Sequence, residues 1–196
     1  MRNRIEWIME LCKGKEVLDI GCVGGNGGII HKKIASVVCR ITGIDIDKEG
    51  IEKLRMDGYN VKIADAENFN LNEHFELIIS GELLEHLTNV GGFLECVKNH
   101  LLDGGKLILT TPNISSIIWL IGDILHGGTE TMTTSGSMGH TSGFNHNMLE
   151  TLLARHGFRV VEKAYFNDDT RSLIKFITKL APRHSLHIGV VAEVVK

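Results

Sequence analysis

A chain of 196 residues, 43% hydrophobic and 23% charged, is long enough for one domain that buries roughly 70% of its unfolded surface without disulfides or metals. Its formal net charge of −3, with Lys and Arg scattered along the chain, argues against the basic stripe that binding to a phosphate backbone requires. The longest apolar stretch, Ile114 to Leu125, is too short and interrupted to span a bilayer, and Met1 to Trp7 lacks the apolar core of a secretory signal, so a cytoplasmic location is expected. Cys12, Cys22, Cys39 and Cys96 form no CxxC pair and no Cys/His ligand spacing, and read as free thiols, mostly buried, in a reducing compartment.

Apolar runs alternate with segments of helical period, the pattern of an α/β domain whose largely parallel sheet is covered by helices on both faces. In chain order, Val17–Ile20 reads as the first strand and Gly27–Val38 as its helix. Ile41–Ile46 is the second strand, followed by a helix over Lys48–Met56 with Ile51 and Leu54 facing inward. Asn60–Ala64 and Phe75–Ser80 are the third and fourth strands, with a helix expected from Glu82. A further helix over Val90–Leu102 ends at Asp103-Gly104-Gly105, and Lys106–Thr111 is the fifth strand. Ile114–Leu125 reads as an apolar helix, and 126–144, rich in Gly, Ser, Thr and Met, as a lid-like loop. Asn145 or His146 caps a helix through His156, stopped by Gly157. Arg159–Phe166 and His187–Val195, with a helix near Thr170–Leu180 between them, supply two last strands able to pair antiparallel at a sheet edge. The expected architecture is a single domain over 1–196, a doubly wound seven-stranded and mostly parallel sheet with an antiparallel last strand, carrying 114–144 as an insertion on the substrate side.

Between the first strand and its helix, five of the eight residues from Gly21 to Gly28 are glycine. A strand, a glycine turn and a helix N-terminus let backbone N–H groups approach a ligand closely, at the sheet edge where open α/β folds bind ligands. A dinucleotide fingerprint requires G-x-G-x-x-G. Counted from Gly21 its later positions are Val23 and Asn26, and counted from Gly25 the third is Ile30, so the spacing a pyrophosphate needs is missing and a dehydrogenase is disfavoured. The second strand ends in Asp45, 24 residues after Gly21, where a carboxylate can accept from both hydroxyls of a ribose; Asp47 is better placed as the N-cap of the next helix. Ribose without pyrophosphate is what the two motifs jointly suggest.

The runs Val17–Gly25, Gly43–Ile46, Ala64–Glu67, Phe75–Ser80 with Leu84–Leu87, Gly104–Asn113 and Gly157–Val160 resemble, in order and interval, class I S-adenosylmethionine-dependent methyltransferases. The resemblance covers about residues 14–166 and is closest to small-molecule enzymes of the ubiquinone-biosynthesis kind. It implies a Rossmann-like fold, S-adenosyl-L-methionine as cofactor and methyl transfer to the O, N or C atom of a small acceptor. It implies further that Asp19 and the backbone of Gly21, Cys22, Gly24 and Gly25 surround the methionine part. Asp45 would hold the ribose with Ile46 on the adenine, Asp65 and the N–H of Ala66 would meet the adenine amino edge, and Ser80 and Gly81 would border the methyl end. One position departs from the pattern. Val23 stands where the family usually has glycine, and a β-branched residue disfavours φ > 0, so the bend falls to Gly24 or Gly25.

Methyl transfer from a sulfonium depends above all on alignment, and a base is needed only where the acceptor must lose a proton early. His140, just past the lid-like loop, and His86, behind Glu82 and Glu85, are the candidate catalytic residues; each is equally readable as an ordinary packed or surface histidine. Glu82, Glu85 and His86 have no second histidine at ligand spacing, so no metal is expected. His126 and His146 flank the loop and read as solvent-exposed, and Trp7 and Trp119 read as core. The expected partner is a small-molecule methyl acceptor, with neither nucleic acid nor a membrane span, and a homodimer stays open. The rival reading is a non-catalytic cofactor-binding or scaffolding subunit of the same fold.

Overall fold

The structure, a computed structural model, describes residues 3–117, 140–167 and 178–195. It contains α1 (Arg4–Cys12), β1 (Glu16–Ile20), α2 (Ile29–Ala35), β2 (Arg40–Asp45), α3 (Lys48–Met56), β3 (Val61–Ile63), β4 (Phe75–Gly81), α4 (Val90–His100), β5 (Leu101–Pro112), α5 (His146–Arg155), β6 (Phe158–Phe166) and β7 (His187–Val194), with short 3-10 turns at Leu84–His86 and Pro182–His184. Seven strands form one sheet in the order β3-β2-β1-β4-β5-β7-β6. The first five run parallel, and β7 lies antiparallel between β5 and β6. From β1 the chain moves outward through β2 and β3, then returns to place β4 on the other side of β1. That reversal opens a crevice at the carboxyl ends of the strands.

Alternation along the strands supplies both faces of the sheet. Leu18 and Ile20, Ile78, Leu107 and Leu109, and Val190 and Ala192 pack with Phe93, Leu94 and Val97 of α4 and Leu149 and Leu153 of α5. Val17, Leu77 and Ile79, Ile108 and Val191 point the other way, onto Trp7, Ile8 and Cys12 of α1 and Ile34 of α2. Strands buried on both sides must be apolar almost throughout, which is why they stand out in the sequence. Trp7 is core as expected, its indole Nε1 donating to Glu162 at 2.9 Å and its ring 5.2 Å from Phe166. Cys12 and Cys22 are buried free thiols, Cys96 is half-buried and Cys39 exposed. Burial, with Asp19 second, pushes the Cys12 thiol up to about 12, so it is inert at neutral pH. Among the described residues no helix is long and apolar enough to cross a membrane.

Most sequence boundaries hold within a residue or two, and the exceptions have local causes. The first crossover helix begins at Ile29 rather than Gly27, because Gly27 and Gly28 are left-handed, with φ of 60° and 83°. No helix begins at Glu82. This residue has φ 52°, and only the 3-10 turn at Leu84–His86 follows. The helix at Val90 ends at His100, and Leu101 already pairs with Phe75; Lys106 then pairs with Leu77, so Asp103-Gly104-Gly105 forms a bulge inside β5 rather than a turn before it. Asn145 caps α5, its Oδ1 accepting from the Met148 N–H at 3.0 Å, and Asp47 caps α3, accepting from the Gly50 N–H at 3.1 Å. Most of the expected helix over Ile114–Leu125 and of the lid-like loop 126–144, with Trp119 and His126, and most of the helix near Thr170–Leu180 lie outside the described residues.

Val23 is buried, packed with Cys22, Ile51, Leu54 and Val61. The bend it cannot make falls at Gly24, with φ 51°, and not at Gly25. Room for the valine comes from α3. A Cβ on Gly50 would lie 2.3 Å from Val23 Cγ1, so the loop valine and the helix glycine are a matched pair. Gly50→Ala would gain about 1 kcal/mol of helix propensity but overpack this contact at a cost of about 1–3 kcal/mol. Gly50→Ala should therefore lower the melting temperature, and Val23→Ala added to it should restore part of the loss. Thermal melts of the single and double variants check this; a stabilised single variant refutes the pairing.

Candidate functional site

The glycine turn is anchored to β2 by its backbone. The N–H groups of Gly21 and Cys22 both donate to the Ile44 carbonyl, at 2.9 and 3.1 Å. Asp45 completes the anchor. Its Oδ2 accepts from the Val23 N–H at 2.9 Å and the Gly24 N–H at 3.4 Å, and its Oδ1 accepts from the Asp47 N–H at 3.0 Å. Sequence reasoning read Asp45 only as a ligand-binding carboxylate. Its hold on the turn was hidden because it depends on the parallel register Asp19↔Gly43 and Ile20↔Ile44, which sets the end of β2 beside the turn.

Beneath the turn lies a cavity of about 140 Å³ lined by Asp19, Gly21, Cys22, Gly24 and Gly25 on one side, by Ile79, Gly81, Glu82 and Thr110 on another, and closed by Arg4, Ile5 and Ile8 of α1. Six of the residues assigned to the cofactor therefore share one cavity: Asp19, Gly21, Cys22, Gly24, Gly25 and Gly81. Asp45, Ile46, Asp65 and Ala66 are not on its wall. Asp45 stands at the end of β2, and its carbonyl accepts from the Ala64 N–H at 3.1 Å, which carries the chain after β3 alongside it. Ile46 is 61% exposed, and the Asp65 carboxylate accepts from the Glu67 N–H at 2.9 Å. Ala66 is buried in the core. Ser80 alternates onto the opposite face from Ile79 and Gly81, with its hydroxyl buried, so its side chain does not border this cavity.

Asp19 is 6% exposed and its Oδ2 meets Nδ1 of the fully buried His31 at 2.8 Å. His31 was missed in the sequence, where it reads as one polar position in a lysine-bearing helix. At the far end of the cavity Glu82 contacts Arg4 Nη1 at 2.6 Å through Oε1 and His187 Nδ1 at 2.8 Å through Oε2. Burial would push the Glu82 carboxyl up, but the His187 hydrogen bond and the Arg4 charge outweigh it and hold the group below the usual carboxylate range. Neither Arg4 nor His187 carries a local signal, since each reaches Glu82 only through the tertiary fold.

Beside Glu82 the chain gathers the two candidate histidines. Glu85, His86 and His140 bring one ligand atom each within 4.8 Å of one another, and the rings of His86 and His140 stand edge to face at 4.9 Å. Thr141 holds the arrangement, its N–H and Oγ1 donating to the Glu85 carbonyl at 2.8 and 2.9 Å. Glu85 is buried and accepts from Thr111 Oγ1 at 2.9 Å; burial, and next the Glu82 charge, push its carboxyl up to about 7. Burial, and next the nearby His86, hold the His140 imidazole below its ordinary value, which keeps it neutral and available as an acceptor or ligand. Nδ1 of His86 and Nδ1 of His140 are buried and have no hydrogen-bond partner among the described residues. The second histidine that local spacing lacks is thus supplied by the fold. His146, read as exposed, is buried with its Nε2 at 3.1 Å from the Gly189 carbonyl and its ring against Tyr165.

Strand order, the turn and the cavity define a Rossmann-like domain of the class I methyltransferase architecture, with its cavity at the β1–β4 crevice. The chain belongs to the methyltransferase-domain family, which matches residues 3–163. It is 24% identical over 158 residues to the mitochondrial ubiquinone biosynthesis O-methyltransferase of Rattus norvegicus, covering 75% of this chain and 45% of that protein. The chain spans about half the length of the curated relatives it matches. Among solved structures, an S-adenosylmethionine-dependent methyltransferase from Clostridium acetobutylicum superposes with a TM-score of 0.69 at 13% identity, covering 98% of this chain and 91% of that one. The N-methyltransferase NodS from Bradyrhizobium japonicum, solved in complex with S-adenosyl-L-homocysteine, gives 0.65 at 18% identity, with 98% and 86% covered.

Glu85 yields a pH prediction with a definite sign. Its native value lies above the ordinary 4.5, so between about pH 4.5 and 7 the folded chain keeps a proton that the unfolded chain has released, and stability falls as pH rises through that window. Glu85→Gln keeps an acceptor for Thr111 and cannot ionise. Its melting temperature should rise relative to the parent by about 3 °C or more between pH 5 and pH 8, on a scale of about 2–4 °C per kcal/mol for a chain of this size. A constant difference across that range refutes the assignment.

Proposed function

We propose that this domain binds S-adenosyl-L-methionine and transfers its methyl group to a small-molecule acceptor. The observation that carries this reading is the cavity beneath a glycine turn clamped by Asp45, with Glu85, His86 and His140 gathered beside its inner end. The wall fits the donor. At Gly21 and Gly24 the left-handed backbone and lack of side chains leave turn atoms exposed to the cavity, and Asp19 places a buried carboxylate where a cationic group would be attracted. When bound, S-adenosylmethionine supplies an electrophilic methyl on a sulfonium. Asp45, besides holding the turn, keeps a lone pair on Oδ1 for a ribose hydroxyl, and Ile46 and Asp65 stand at neighbouring strand ends where an adenine would lie. Ser80 acts, in this reading, only through the backbone at the end of β4.

Arg4, Ile5 and Ile8 close the cavity and exclude water from the donor, which favours in-line displacement over hydrolysis. His140, held neutral, is the group proposed to take a proton from the acceptor, with His86 beside it. The net charge of −3 and the acidic groups around the acceptor side support a small molecule rather than nucleic acid.

The cluster itself favours a second reading of the same step, in which Glu85, His86 and His140 hold a divalent cation that orients the acceptor. One carboxylate and two imidazoles suit zinc or manganese better than magnesium. Dialysis against a chelator followed by zinc or manganese separates the two: unchanged transfer supports histidine acting alone, and loss restored by metal supports the cation.

Calorimetric titration with S-adenosylmethionine and S-adenosylhomocysteine, against NAD as control, tests the cofactor; preferential NAD binding overturns it. Asp45→Ala should weaken S-adenosylhomocysteine binding at least about tenfold, through loss of charge-assisted hydrogen bonds and release of the turn. His140→Ala should reduce labelled-methyl transfer to lysate metabolites while leaving cofactor affinity within about threefold. Cofactor binding with no acceptor in that screen would favour the non-catalytic subunit.

A further inference from the structure

His31 is a fully buried imidazole that methyl transfer as described does not use. It lies on α2, one layer beneath the cavity, with Nδ1 at 2.8 Å from Asp19 Oδ2. Its Nε2 is buried and has no partner among the described residues. The ring is closely seated. A Cβ on Gly43 would lie 2.8 Å from His31 Cε1, and Tyr59 stands edge-on with ring centroids 5.6 Å apart. An apolar residue would fill this place without desolvating a polar ring, so the position costs the core something that packing alone does not require. The tautomer follows from the partners. A proton on Nδ1 is donated to the carboxylate, whereas a ring protonated on Nε2 alone would set two acceptors against each other and leave a buried donor with nothing to bond, so Nδ1–H faces Asp19. Asp19 thereby receives a hydrogen bond that fixes its rotamer while remaining on the cavity wall.

We propose that His31 is a positioning residue for the donor. It aims the Asp19 carboxylate at the cationic amino-acid end of the bound molecule and so sets the preference for donors that carry that end. This rests on the reading of the cavity as an S-adenosylmethionine site. It adds that selectivity for the amino-acid moiety over the bare nucleoside thioether is set from behind the wall, by a residue that touches neither. A residue that merely filled the core would weaken all nucleosides alike when changed. A residue that aims Asp19 weakens only those with an ammonium group.

The test compares S-adenosylhomocysteine, which has the amino-acid moiety, with 5′-methylthioadenosine, which lacks it, by calorimetry on the full chain. His31→Leu should reduce the ratio of the two affinities about tenfold, the loss that corresponds to about 1.4 kcal/mol. His31→Asn places an amide nitrogen at the Nδ1 position and should keep the ratio within about threefold, whereas His31→Gln places it at the Nε2 position and should lose the ratio as leucine does. If the leucine variant does not fold, the asparagine and glutamine variants carry the comparison. An unchanged ratio in the leucine or glutamine variant overturns the inference. A parent protein that binds neither compound overturns the cofactor reading, and this inference with it.

Discussion

Five parallel strands end at one edge, and most of the site's carboxylates stand there because of it. Asp19 lies near the end of β1, Asp45 ends β2, Asp65 follows β3, Glu82 follows β4 and Thr110 and Thr111 close β5. A parallel sheet needs a crossover for each strand, and each crossover must begin at this same edge. The carboxylates are therefore delivered to one crevice by topology, and the turn between β1 and α2 lines the cavity with residues 21–26. β7, antiparallel to both of its neighbours, brings His187 to this edge by its beginning rather than its end.

Charge is partitioned within that crevice. On the turn side the Asp19 carboxylate is held by the His31 imidazole and lies on the cavity wall. On the acceptor side Glu82 is neutralised by Arg4 and His187, while Glu85, a few residues on, is driven toward its protonated form. The two carboxyl groups are shifted in opposite directions because Glu82 has the His187 hydrogen bond and the Arg4 guanidinium against it, while Glu85 faces burial and the Glu82 charge. The φ of 52° at Glu82 is the backbone distortion that turns its side chain toward Arg4 and His187, at a cost of about 1–3 kcal/mol met by those contacts.

The strands were legible in the sequence because burial on both faces leaves continuous apolar runs, and α3 was legible from Ile51 and Leu54 together with the Asp47 cap. The turn was legible from its glycines. What could not be read locally was everything that depends on register or on distant partners. The bulge at Asp103–Gly105 is visible only against β4, His146 is buried by a strand much later in the chain, and Ser80 differs from Gly81 only by the parity of the pleat. His31, His187 and Arg4 carry no motif, and their meaning comes from Asp19 and Glu82. The no-metal expectation rested on spacing along the chain, a criterion that does not see His140 folded back against His86.

The position of β7 bears on how the molecule assembles. It is made after β6 but lies inside it, hydrogen-bonded to β5 on one side and to β6 on the other. During synthesis the sheet can grow from β1 through β5 as each strand emerges, yet β6 has no edge to join until β7 arrives. The hairpin-like pair must then dock together, and until it does, the apolar edge of β5 stands open to other chains. The interval between the emergence of β5 and that of β7, rather than the assembly of the glycine turn, is thus when the β5 edge is exposed to mispairing.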